Sequence, residues 1–184
     1  GRRLGVKTGL ITTGDSNGFQ SAIDCAHRVS WGYGLGVHPM FVDGVQDREL
    51  DILDQSLADH LNDSRLVAVG EVGLDFYIEN PDKVRQEKFF IEQMRLAEKY
   101  SLPVSVHARR ALFRVMAIIK QFPQVKGVIH AFPGSKEEAR QVVDLGWKIG
   151  VGGAVTYPGS KRLRDVVRFV PIEALVLETD CPDM

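Results

Sequence analysis

Cysteine is nearly absent from this chain. Only Cys25 and Cys181 occur, far apart and with no CxxC pair, so a disulfide framework is not indicated and a reduced, cytoplasmic setting is the simpler expectation. No apolar run approaches the roughly 20 residues of a membrane span. Net charge is −1, which removes the broad basic face of a duplex-coating protein but leaves room for an enzyme that grips a few phosphates in a pocket. The GxGxxG order of a dinucleotide loop is missing. No signal peptide appears at the start of these residues, and no repeat, linker or low-complexity tract interrupts them. The chain opens at Gly1-Arg2-Arg3-Leu4 without a methionine, which reads as a piece of a longer polypeptide.

What is present is an ordinary globular composition. Of 184 residues, 44% are hydrophobic and 26% charged, enough to bury a core within a single domain spanning residues 1–184. Short β-branched runs alternate with longer amphipathic stretches. The runs are Val6–Thr12, Tyr33–Val37, Leu66–Val69, Val104–His107, Val125–His130, Trp147–Val151 and Leu175–Glu178. They lack strict alternation, as strands buried on both faces do. Their starts recur about every 28 residues, the size of a βα unit. Between them, Leu50, Leu53, Leu57 and Leu61 fall at helical spacing, as do Phe90, Met94 and Ala97 within 82–100. Ser135 to Glu138 is a capping-box pattern, and Gly146 stands where a helix C′ glycine belongs. This is an α/β chain with a parallel sheet, either a (β/α)8 barrel or a doubly wound open sheet.

Metal-capable and acid/base side chains cluster at the ends of these runs. His38, Glu71, His107 and His130 each follow a strand, and Glu178 and Asp180 follow the last. In parallel α/β folds all strand C-termini lie on one face, where catalytic groups gather. Because five strands contribute, a barrel that closes them round a common centre is the expected architecture. Imidazole with carboxylate suits a divalent ion, and a carboxylate can bridge two ions about 3.5–4 Å apart that hold a hydroxide against a phosphate ester. A single histidine at a strand end is more often structural, and His27 and His60, in expected helices, are read that way. The coincidence of several is what points to a metal or acid/base centre.

At these same residues the chain resembles the TatD family of metal-dependent deoxyribonucleases. Gly36-Val37-His38-Pro39 looks like its GxHP motif, and 70–77 (GEVGLDFY) like its GEiGLDyy motif. Residues 103–109 (PVSVHAR) resemble PvxxHxR, and 130–135 (HAFPGS) resemble HxFsGs. Residues 149–153 (IGVGG) and 177–182 (LETDCP) resemble IG.gG and LETDxP. The matches come in family order over nearly the whole chain. The resemblance implies a (β/α)8 TIM barrel, of which the runs would be strands two to eight, and a centre of two divalent ions (Zn, Mn or Mg). It implies that Glu71 is shared between the ions, that His107 and His130 ligate the second, and that Asp180 ligates the first and orients or deprotonates the attacking water. Glu71 and Asp180 are thus the catalytic candidates, and His38 and Arg109 would face the substrate. Asp75 and Glu178 are expected to support ligands, and Gly150, Gly152 and Gly153 to allow close approach.

Two departures stand out. No His-x-His pair, which opens the family's first strand, occurs here; the domain is expected to be incomplete at both ends, its first strand and closing helices belonging to an intact molecule. Pro133 replaces the usual serine beside His130. The leading function is phosphodiester hydrolysis from DNA ends. Hydrolysis of small phosphoesters, amides or lactones on the same ligands is an alternative, as is a non-catalytic barrel without its metal. Local basic groups are Arg109, Arg110 and Arg114, then Lys161, Arg162, Arg164 and Arg168, the second set reading as a solvated helix face. Oligomeric state is left open, with a monomer the default, and no membrane partner is indicated.

Overall fold

A computed structural model of the protein describes residues 5–179. The chain alternates strand and helix: β1 (Leu10–Ile11), α1 (Phe19–Val29), β2 (Gly32–Leu35), α2 (Glu49–Asp59), β3 (Leu66–Asp75), α3 (Lys83–Tyr100), β4 (Val104–Arg109), α4 (Leu112–Ile119), β5 (Gly127–Ile129), α5 (Lys136–Asp144), β6 (Lys148–Val151), α6 (Lys161–Phe169) and β7 (Leu175–Leu177). All strands pair in parallel in the order of the chain, β1 to β7.

The expected closed (β/α)8 barrel is not what forms. The described sheet is a seven-stranded open half-barrel whose edges lie 11 Å apart. Convergence of the strand ends had favoured closure. The residues that converge most tightly come from β2, β3 and β4, which are adjacent, so curvature between neighbours is sufficient and a closed ring is not required.

The local rules explain the elements. Asp82 caps α3 by accepting from Arg85 N–H at 2.9 Å. The Ser135–Glu138 capping box opens α5, with bonds of 2.7 and 3.3 Å, and Gly146 follows at φ +79°. Phe90, Met94 and Ala97 of α3 are fully buried, as are Leu53 and Leu57 of α2. Leu61, beyond the end of α2, is 45% exposed. The core joins these helix faces to Tyr33, Val69, Val106, Ile129 and Ile149 from successive strands, each buried apolar side chain being worth about 1.5–3 kcal/mol. His27 and His60 are structural, as expected: His27 Nε2 meets Asp63 at 2.8 Å and His60 Nδ1 meets the Ser56 carbonyl at 2.8 Å.

Candidate metal centre

Three neighbouring strands deliver three side chains to one point. His38 follows β2, Glu71 lies within β3 and His107 lies within β4. Strand β3 continues well past the apolar run ending at Val69, and the extension carries Glu71 and Asp75. His107 Nδ1 lies 3.2 Å and His38 Nε2 lies 3.6 Å from Glu71 Oε1. One potential ligand atom from each residue falls within 4.8 Å of the other two. The imidazoles of His38 and His107 meet edge to face, 4.6 Å between centroids.

Each histidine has a hydrogen-bonding partner on its ring. Fully buried Asp75 lies 2.9 Å from His107 Nε2 and Glu71 lies 3.2 Å from Nδ1; each carboxylate can accept from the ring, and a neutral His107 that gives its proton to Asp75 turns its Nδ1 lone pair toward Glu71. Glu178 meets His130 Nδ1 at 2.8 Å and accepts from Ala131 N–H at 2.6 Å. These are carboxylate–histidine pairs of the kind that orient metal ligands. Glu178 reaches from the end of β7 across β6 to the histidine after β5. Gly150 of β6 makes that crossing possible, because a Cβ there would overlap Glu178 Oε2. Gly73, at φ +131°, similarly avoids the His107 carbonyl. His38 differs: its Nδ1 accepts from Met40 N–H at 3.2 Å, which leaves the proton on Nε2, toward Glu71.

Burial pushes the Glu71 carboxyl up, but hydrogen bonds from His107 and His38 and the electrostatic influence of the His130 and His38 rings outweigh it, holding the group well below the usual carboxylate range. The centre therefore presents an ionised carboxylate among imidazoles.

Two buried glutamines, missed in the sequence, hold the strand ends. Gln93 of α3 accepts from Val37 N–H at 2.7 Å and donates to its carbonyl at 3.1 Å, just before His38. Gln86, two turns earlier, does the same for Asp75, at 2.9 and 3.1 Å. Thr13 braces Gly36 through both backbone groups, at 3.1 and 3.0 Å. The available signal was polar residues at heptad spacing on the apolar face of a helix.

Of the site residues read from the sequence, His38, Glu71 and His107 are brought together. His130 is held by Glu178 and lies close enough for its charge to act on Glu71. Arg109 ends β4 with its guanidinium over the Tyr77 ring. Asp180 lies outside the described residues. Arg162 and Arg164 donate to loop carbonyls, Arg162 to Pro133 at 2.6 Å and Gly134 at 3.1 Å, Arg164 to Val155, Tyr157 and Pro158. They tie loops at the strand ends instead of forming a free solvated face.

A parallel α/β sheet with a histidine–carboxylate cluster at its strand ends has the arrangement of a metal-binding α/β protein. The TatD related DNase family model matches residues 2–184, and the chain belongs to that family. It is 40% identical over 159 residues to an uncharacterized metal-dependent hydrolase of Haemophilus influenzae, covering 83% of this chain and 59% of that protein. It superimposes on the crystal structure of YjjV, a TatD homolog of Escherichia coli, with TM-score 0.92 and 36% identity, covering 98% of this chain and 70% of that one. A TatD family hydrolase of Entamoeba histolytica gives TM-score 0.84 and 31% identity, covering 98% and 62%. The chain spans less than two thirds of the length of the curated relatives it matches. No helix among the described residues is long and apolar enough to cross a membrane.

Proposed function

We propose that the protein is a metal-dependent deoxyribonuclease that cleaves phosphodiester bonds at DNA ends with two divalent ions. The observation that carries this reading is the convergence of His38, Glu71 and His107 with Asp75 behind His107: a neutral His107 that gives its Nε2–H to Asp75 offers its Nδ1 lone pair beside an ionised Glu71. A nitrogen and a carboxylate oxygen so arranged fit a borderline divalent ion such as Zn or Mn. Glu71, His107 and His130 would hold the ions, with Asp180 completing the set and orienting the attacking water. When bound, such ions supply a polarised phosphoryl oxygen and a water of lowered pKa.

The chain's own groups do the rest. Asp75 and Glu178 hold His107 and His130 in the ligating tautomer. His38, with its proton on Nε2, donates to a substrate oxygen, which suits a substrate-facing group better than a ligand. Arg109 offers a planar fork to a phosphate. The test is a metal-stripped preparation resupplied with Mn, Zn or Mg and given end-labelled single-stranded DNA, small phosphoesters and lactones. Metal-dependent release of terminal nucleotides is the expected result. Turnover of lactones or amides without nucleotide release would contradict it.

A further inference from the structure

Two guanidiniums share one aromatic ring at the edge of the centre. Arg109 Cζ lies 4.0 Å and Arg110 Cζ lies 4.4 Å from the Tyr77 ring centroid. Consecutive residues of a strand point to opposite faces, so both reach one ring only if the chain leaves strand geometry between them. It does: Arg110 takes φ +53°, the left-handed region that side-chain-bearing residues disfavour. The backbone that carries the ring is held, because Tyr77 N–H donates to Asp75 at 2.8 Å and Phe76 N–H to the Arg109 carbonyl at 2.9 Å.

No carboxylate among the described residues answers these two charges. Among the described residues neither arginine has a carboxylate partner, whereas Arg114 is paired with Glu87 and Arg168 with Asp165. Two adjacent cations on an exposed ring repel each other unless an anion lies between them. Arg109 is two residues beyond His107 on the same face of β4, about 7 Å along the strand. An anion on the pair would thus be close to, but distinct from, a group held at the centre.

We propose that Arg109, Tyr77 and Arg110 form a second phosphate subsite, which takes the phosphate next to the scissile one and so selects a nucleic-acid strand over a one-phosphate ester. Arg110 supplies the second fork, and Tyr77 is the positioning residue that holds both. This rests on the phosphodiesterase reading above.

The test compares the protein with Arg110→Ala, Arg110→Lys, Tyr77→Ala and Tyr77→Phe on a single-stranded oligonucleotide and on bis(4-nitrophenyl) phosphate. In Arg110→Ala, kcat/KM for the oligonucleotide falls about tenfold more than for the ester, mainly through KM. The slope of log affinity against log salt, measured with a phosphorothioate oligonucleotide, becomes shallower by about 0.7. Arg110→Lys restores the slope. Tyr77→Ala reproduces the loss and Tyr77→Phe, which keeps the ring, rescues it. Equal losses on both substrates, including those of a folding defect, or an unchanged slope would overturn the subsite. The binding measurement needs no turnover: an Arg110-dependent slope in a protein that hydrolyses neither substrate keeps the subsite and removes the hydrolase reading. Turnover of both substrates indifferent to Arg110 does the reverse.

Discussion

Asp75 accepts from His107 Nε2 on one oxygen, at 2.9 Å, and from Tyr77 N–H on the other, at 2.8 Å. One buried carboxylate therefore braces a candidate ligand and the backbone of the residue whose ring carries two arginines. Asparagine cannot do both, since its amide presents one acceptor and one donor to two N–H groups. We predict that Asp75→Asn weakens divalent-metal affinity by about 10–100-fold. A chelator-competition titration measures this, and unchanged affinity would refute the role.

His38 separates two roles that distance alone leaves mixed. It sits within the three-residue cluster, yet Met40 N–H occupies its Nδ1. On the proposed reading it is a donor to substrate, needed for turnover and not for metal. His38→Gln is predicted to lower kcat by about 100-fold or more with metal content intact. Loss of an ion on elemental analysis would instead make it a ligand.

Gln93 tests the support beneath the site. Gln93→Leu keeps the apolar packing of α3 but leaves the N–H and carbonyl of fully buried Val37 without their partner. At about 1–3 kcal/mol for each of the two orphaned groups, urea denaturation is predicted to show a loss of about 2–6 kcal/mol. A loss below about 0.5 kcal/mol would mean that the clamp does not hold the β2 end.

A pH-dependent element lies away from the centre. Asp63 accepts from Arg65 N–H, Tyr33 Oη–H and His27. Burial raises its carboxyl pKa, but those bonds outweigh it and the net shift is downward. A depressed folded-state value stabilises above the unfolded pKa of about 3.9 and is lost as pH falls through the folded value. Asp63→Asn is thus predicted to cost about 2 kcal/mol at pH 7, with the gap to the parent protein closing below about pH 4. Denaturation at both pH values checks it; a gap that is constant or widens in acid would contradict the assignment.

Much of this architecture was legible because local signals agreed with the global fold. Every apolar run became a strand, the Ser135–Glu138 box formed, and the strand-end positions of His38, Glu71 and His107 became a cluster. Asp75 and Glu178, expected to support ligands, lie within hydrogen-bond distance of His107 and His130. Closure was misjudged because converging chemistry was taken to require a ring, when three adjacent strands of a curved sheet suffice. Gln86 and Gln93 escaped notice because a polar residue on an apolar helix face has no local mark of its partner. The shared ring of Tyr77 depends on a left-handed Arg110, which no spacing rule indicates. Arg162 and Arg164 looked like a solvated face because their partners are loop carbonyls 6 to 29 residues away in sequence.

The central claim is that Glu71 and His107 hold a divalent ion. Calorimetric titration of Zn into metal-stripped protein tests it most directly, with Glu71→Gln and His107→Ala alongside. Saturable binding in the parent, weakened at least about 100-fold in both variants, is the predicted result. Binding of equal strength in all three proteins, or none in the parent, would contradict it.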